Sequence, residues 1–330
     1  MHYVETGSTD PGYNLAVEEY LFDNLSEGHD DIVLLWQNRP TIVVGRFQNT
    51  LEEVNSDFVK EHGIHVVRRI SGGGAVYHDL GNLNYTFIVH RGKENEFDFA
   101  RYTAPIIEIL KDMGVDAAFS SRNDLTIEGK KFSGNAQYMR KGKLLHHGTL
   151  LFDSDLSVLT KALRVSRDKF ISKGIKSVRS RVTNIRPHLK KAMNILEFKK
   201  AILEHFPATG KVLQEKILRE DELDKIASLS SSKYHSWEWN YGISPEFTEE
   251  KSFRFSFGKV EALLNVKEGK ILGCRFYGDF FGNGDLKDIE AKLTGIKYTR
   301  SDLEKALAHS HLGHYFRGVD KEEFLDFLSP

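Results

Sequence analysis

Strand-like runs in this chain come in pairs and threes before a helical run interrupts them. That order departs from the even βαβα alternation of a doubly wound parallel sheet. "DIVLLW" (31–36) and "TIVVG" (41–45) are β-branched runs joined by a turn-like "QNRP". "IHVVRRI" (64–70) and "LNYTFIVH" (83–90) follow, the second placing Leu83, Tyr85, Phe87 and Val89 on one face. "DLTIEGKKFSGNAQYMRKGKLLHHGTLLFD" (124–153) reads as short strands separated by two hairpin-type turns, "EGKK" and "RKGK". Helical patterns occupy 14–25, 51–63, 99–114, 156–163, 194–206 and 221–234. Pro105 predicts an early turn or a kink within 99–114. The irregular "WEWNYGISPEFTEE" (237–250) marks a boundary near 245. Beyond it lie three strands with turns at Gly258 and Lys259 and at Glu268 and Gly269. A capping box of Ser301 with Glu304 and closing helices complete the chain. The expected architecture is α+β twice over: a mixed-sheet domain at 1–245 and a small α+β accessory domain at 246–330.

Bulk properties narrow the function. The 330 residues are 40% hydrophobic, enough to bury a large core. With 46 basic and 47 acidic residues there is no single-sign excess to support general nucleic-acid binding. The one cysteine, Cys274, excludes an internal disulfide framework and fits a reducing cytoplasm. No apolar run is long enough to span a bilayer. The expectation is a cytoplasmic monomer.

Within "RRISGGGAVYHDLGNLNYTF" (68–87), three successive glycines strip the side chains from one wall of a turn. Their N–H groups can form a concave anion site. Arg68 and Arg69 point to opposite faces of an extended strand, so one of them faces a ligand. Neither the P-loop pattern nor GxGxxG is met, since position 77 is Tyr. On glycine count alone the stretch is equally a tight turn with surface arginines. The polar residues that follow, His78, Asp79, Asn82 and Asn84, are costly to bury and favour a site.

"SRNDLTIEGKKFSGN" (121–135) forms a second cluster. Asp124 is a hard oxygen donor suited to Mg²⁺. Lys131 can act as a fixed charge against a phosphate or a developing oxyanion, whereas Lys130 reads as an ordinary turn lysine. His146 and His147 sit in an apolar strand, and a hydrogen-bonded structural role is expected for at least one. There is no GxSxG elbow, and Cys274 reads as a buried, inert thiol. The chemistry to expect is positioning and electrostatic stabilisation of phosphate, without a covalent enzyme intermediate.

"LWQNRPTIVVGRFQN", the glycine block, "SRNDLTIEGKKFSGNAQ", "HHGTLLFDSDLSVL" and "KSVRSRVTNI" (176–185) resemble, in order, the signature blocks of the lipoate–protein ligase A family. The resemblance implies a catalytic fold shared with biotin–protein ligases. It also implies an ATP-dependent reaction in two steps, lipoyl-AMP formation and lipoyl transfer to a carrier lysine. Carriers in the family are the acyltransferase subunits of 2-oxoacid dehydrogenases and the glycine cleavage H protein. By resemblance Lys131 is the catalytic lysine. Arg69 and Ser71, with Gly72, Gly73, Gly74, Ala75, Val76, Tyr77 and His78, would surround the lipoyl-adenylate. Asn123 would serve the phosphates and Asp124 would hold Mg²⁺. Ser180 and Arg181 belong to an expected flap over the adenylate. Where some members carry a lipoate-contacting arginine, this chain has Tyr138, with Arg140 two residues on and unassigned. An octanoyl or lipoyl transferase of the same fold would need a cysteine in the catalytic blocks. Biotin ligase would need a GRGRRGR-type loop. A non-catalytic acyl- or carrier-binding protein would need neither Lys131 nor Asp124.

Overall fold

A computed structural model describes residues 1–28, 30–91, 96–120, 123–163, 181–206, 212–241 and 247–330. The chain forms two compact units. The first comprises Met1–Val43, Leu51–Arg68 and Val76–Asn240; the second comprises Val44–Thr50, Arg69–Ala75 and Tyr241–Pro330. The expected boundary at 245 falls at 242–246, outside the described residues.

The first unit holds β1 (His2–Val4), β2 (Ile32–Trp36), most of β3 (Thr41–Val44), β4 (His65–Arg68), β5 (Val76–His78) and β6 (Asn82–His90). Then come β7 (Ala117–Ser120), β8 (Asp124–Ile127), β9 (Lys130–Arg140), β10 (Lys143–Leu151) and β11 (Gln214–Glu215). An eight-stranded sheet runs β11-β1-β2-β6-β10-β9-β8-β7, parallel at the β11-β1-β2 end and antiparallel beyond. The mixed α+β expectation is borne out. The two runs joined by "QNRP" part company, however: β2 enters the large sheet, whereas β3 lies between β4 and β5 in a small one.

Helices cover both faces of the large sheet. His146 and His147 are neighbours on β10 and point to opposite sides. His147 meets Glu18 of the Pro11–Asn24 helix; His146 stacks on Tyr102 of the Phe99–Asp112 helix at 5.5 Å. This double cover explains why β2 and β6 are buried along almost their whole length. The first helix begins three residues earlier than its periodicity suggests, because Asp10 caps it and Pro11 opens its first turn. The 51–63 pattern is two short helices, Thr50–Glu53 and Ser56–Glu61. Pro105 stays inside one continuous helix. Both hairpin turns appear where expected, with Glu128 and Gly129, then Lys141 and Gly142, at positive φ. Among the described residues no helix is long and apolar enough to cross a membrane.

Both sheet histidines are structural in their bonding. Gln137 Nε2 donates to His146 Nδ1 at 2.9 Å, so the imidazole accepts there and is neutral. Burial, helped by neighbouring His147, holds its pKa well below the ordinary value. A depressed histidine leaves the fold fully stable above the unfolded-state pKa of about 6.5 and weakens it as pH falls below that. Thermal unfolding measured from pH 7.5 down to pH 5 should therefore drop less steeply in His146→Gln than in the wild type. Parallel slopes would show that His146 is not the group responsible.

In the second unit, β12 (Glu249–Phe255), β13 (Gly258–Lys267) and β14 (Lys270–Gly278) form an antiparallel meander. Helices Leu286–Leu293, Arg300–Leu307 and Lys321–Leu328 contribute to a core with Phe255, Phe276, Phe280 and Phe324. Two local expectations are corrected. The first hairpin turns at Ser256 and Phe257, since Phe255 pairs with Gly258, which already belongs to β13. The Arg300–Leu307 helix is capped by Thr299, which accepts from Asp302 N–H; Ser301 is already inside it.

Candidate active site

In the first unit Asn123, Asp124, Lys131 and Arg181 come together around β8 and β9. Register explains how. Asp124 lies opposite Gly134 and Leu125 opposite Ser133, but Thr126 lies opposite Lys131. Phe132 is therefore the extra residue of a β-bulge. In a regular strand Lys131 would share a face with Ser133 and Asn135. The bulge turns it onto the face of Asp124 and Gly134, where Nζ sits 2.7 Å from Asp124 Oδ1. Each side chain is about a third exposed, 39% for Lys131 and 34% for Asp124, so the pair adds little to stability. Lys131 N–H donates to Arg181 O at 2.7 Å and Thr183 N–H donates to Lys131 O at 2.9 Å. The segment from 181 is thus pinned beside the lysine through its main chain, with Arg181 itself exposed. Ser180 and the rest of the expected flap at 176–180 lie outside the described residues.

Gly134 makes room for the lysine head. A Cβ there would stand 2.9 Å from Nζ and 3.1 Å from Cε. Because those atoms end a flexible side chain, Gly134→Ala should leave the melting temperature nearly unchanged. The displaced amine should slow the chemistry by roughly 10-fold or more. Wild-type turnover in this variant would show that the seat of the amine is unimportant.

Among the described residues no three His, Cys, Asp or Glu side chains gather into a metal-binding group. Asp124 offers one carboxylate, with Oδ1 facing Lys131. That donor set suits a magnesium ion held mainly by phosphates and water, not an all-protein cage.

His78 and Tyr77 are buried on β5, and Val76 and Ala75 are half-buried. His78 Nδ1 faces Asn38 Nδ2 at 3.1 Å and Asn84 Nδ2 at 3.5 Å. Burial, with Asp79 and Asp155 nearby, pushes the Tyr77 phenol up to about 12.

The glycine loop belongs to the second unit, where it serves packing more than the sequence suggests. A Cβ on Gly72 would lie 2.3 Å from Phe280 O. Gly73, at φ +89, donates its N–H to that same carbonyl at 3.1 Å and faces the Phe281 ring. Only Gly74 of the three looks onto open space. Arg69 is buried and spans its own loop, donating to Ser71 Oγ at 3.0 Å, Gly72 O at 2.7 Å and Gly74 O at 2.8 Å. Arg68 instead bonds Trp239 O and Asn240 O within the first unit. The opposite orientation of the two arginines is as expected. The Arg69 bonds to Ser71, Gly72 and Gly74 all go to groups of its own loop.

Sequence reasoning missed one buried polar array. Glu18 is 1% exposed and accepts from His147 Nδ1 at 3.1 Å and from the Thr86 hydroxyl. Thr86 in turn accepts from Trp36 Nε1 at 2.9 Å. The available signal was a carboxylate, Glu18, at a core position of a helix face otherwise apolar but for Asn14. Tyr138 is buried against Phe22, ring centroids 5.2 Å apart, and Arg140 is partly exposed and paired with Asp23. Cys274 is buried in the second unit, and burial, with Glu290 nearby, pushes its thiol up to about 12. It is not a nucleophile at neutral pH.

The family model for the lipoyl protein ligase A/B catalytic domain matches residues 10–207, and that for the bacterial lipoate protein ligase C-terminus matches 244–328. The chain is 45% identical to lipoate-protein ligase LplJ of Bacillus subtilis over 97% of each chain. A crystal structure of lipoate-protein ligase A bound with ATP is 29% identical, with TM-score 0.62, over 74% of this chain and 99% of that one. The bipartite lipoate protein ligase of Thermoplasma acidophilum, studied with its E2 lipoyl domain, is 31% identical. It has TM-score 0.65 over 74% of this chain and 97% of that one. With a catalytic-domain match over more than half its length and that identity across nearly all of it, the chain belongs to the lipoate–protein ligase family and is an enzyme of it.

Proposed function

We propose that this ligase works through two half-reactions using ATP, lipoate and a carrier lysine. In the first, a carboxylate oxygen of lipoate attacks the α-phosphorus of ATP, the bond to the bridging oxygen breaks, and pyrophosphate leaves. In the second, an unprotonated lysine ε-amine attacks the acyl carbon, the bond to AMP breaks with its electron pair, and the amine sheds a proton. Both steps gather negative charge. The observation that carries the reading is the Lys131 ammonium, turned by the bulge onto the face of Asp124 and held at 2.7 Å. Lys131 offsets repulsion between the carboxylate and the α-phosphate, then stabilises the oxyanion of the second step.

Asn123 serves the phosphates, and Asp124 would hold Mg²⁺, which when bound supplies charge neutralisation to them. Residues 69–78 enclose the acyl-adenylate: Arg69 and Ser71 keep the loop in shape, and Gly74 offers bare backbone. Arg181, whose carbonyl accepts from Lys131 N–H, borders it. Residues 1–245 carry the chemistry, and 246–330 are the accessory domain. The acceptor is a lipoyl carrier domain, of a 2-oxoacid dehydrogenase acyltransferase subunit or the H protein, and the enzyme acts as a cytoplasmic monomer.

The test is pyrophosphate release by the purified protein with ATP, magnesium and lipoate, followed by the mass of an added apo carrier. Release and then a lipoyl mass increase support both half-reactions. Acyl transfer from an octanoylated carrier, without lipoate-dependent release, would move the chain to the transferases.

A further inference from the structure

We propose that Asn135 is a positioning residue for adenylation, acting on Lys131 through the corner formed by Asn123 and Asp124. The proposal rests on the reading of Lys131 above. Asn135 is 3% exposed and lies on the opposite face of β9 from Gly134. Its Nδ2 donates to Asn123 O at 2.9 Å, and its own N–H donates to the same carbonyl at 3.0 Å. In return, Asn123 Nδ2 donates to Asn135 O at 2.6 Å. These bonds clip the entry of β8 to β9 immediately before Asp124, the residue that faces Lys131.

The amide is oriented from behind. Gln137 Nε2 donates to His146 Nδ1 at 2.9 Å, which leaves the proton on Nε2, 3.4 Å from the Tyr85 oxygen. The Tyr85 hydroxyl then donates to Asn135 Oδ1. With the oxygen so occupied, only Nδ2 is left to turn towards Asn123. Asn135 Oδ1 stands 2.1 Å from where a Cβ on Gly148 would be, so the chain of bonds passes through space that only glycine leaves open. A buried side chain thereby fixes the carboxylate that fixes the lysine.

The experiment is single-turnover adenylate formation in the full-length enzyme, with Asn135→Ala, Asn135→Asp and Tyr85→Phe each made alone and with Lys131→Ala. Asn135→Asp keeps the shape and the acceptor for Tyr85 but loses the donor to Asn123; Tyr85→Phe removes only a hydroxyl. Asn135→Ala and Asn135→Asp should lower the adenylation rate by about 10- to 100-fold, with KM for ATP and lipoate changing less than about 3-fold. Tyr85→Phe should have a smaller effect of the same kind. In the Lys131→Ala background the same changes should cost less than about 2-fold, because the group they position is gone. Equal losses in both backgrounds would overturn the proposal and leave a general structural role. So would an unchanged rate in a folded Asn135→Asp. Wild-type adenylation in Lys131→Ala alone would instead overturn the underlying reading of Lys131.

Discussion

Lys131→Ala lowers lipoate-dependent pyrophosphate release by about 1000-fold or more and leaves the melting temperature almost where it was. The first half follows from charge. A carboxylate and a phosphate brought within bonding distance repel by several kcal/mol when water is thinned around them. Loss of one preorganised cationic or hydrogen-bonding partner at such a centre typically costs 100- to 1000-fold. Lys131 is asked to serve two steps, so the larger figure is expected. The second half follows from exposure: with both members of the Lys131–Asp124 pair about a third exposed, water replaces the lost contact cheaply. Lys131→Arg should not restore the rate, because the guanidinium fork is wider than the amine that lies over Gly134. Near-wild-type release by a well-folded Lys131→Ala protein would remove the lysine from the mechanism.

Gly148→Ala gives the reverse pattern, a large loss of stability. A Cβ at this position stands 2.1 Å from Asn135 Oδ1 and 2.5 Å from Tyr85 Cε1. Neither neighbour can yield. Tyr85 is completely buried, and β10 is tied to β6 on one side and β9 on the other. Overpacking of this kind costs about 1–3 kcal/mol, and breaking the Tyr85–Asn135 bond adds to it. A fall of about 5 °C or more in the melting temperature is expected by calorimetry. An unchanged transition would mean that the sheet opens at β10 more easily than its pairing suggests. The contrast with Gly134→Ala is instructive: an added methyl meets the end of a movable lysine in one case and locked core atoms in the other.

Much of this was legible in the sequence, and the exceptions share a cause. The hairpins at 124–153 could be read because a turn declares itself locally, through Glu128 and Gly129 or Lys141 and Gly142. The separation of β2 from β3 could not, since strand partners are chosen across distance and "QNRP" looks the same in a hairpin or a crossover. Strands β1, β7 and β11 went unseen because they are short and lie at or next to the sheet's ends, where apolar patterning is weak. The type of residue at the candidate site was readable, but its geometry was not. Lys131 and Asp124 were singled out separately; that they share a face depends on a bulge with no turn residue to announce it. The glycine loop shows the converse. Bare backbone signals close approach, but the sequence does not say by what, and for Gly72 and Gly73 the answer is Phe280 and Phe281.

The bulge at Phe132 also changes what kind of genetic event matters most here. Side chains on a strand alternate, so adding one residue to β8 between Leu125 and Thr126 would give Phe132 a partner, re-form a regular ladder and send the lysine through to the other side of the sheet from Asp124 and Gly134. Every residue type would still be present. A point substitution grades activity up or down, whereas a single-codon insertion opposite the bulge acts as a switch. Engineering of this scaffold, and any tracing of how inactive members arise from active ones, should therefore treat the spacing between Asp124, Lys131 and Gly134 as a functional character in its own right.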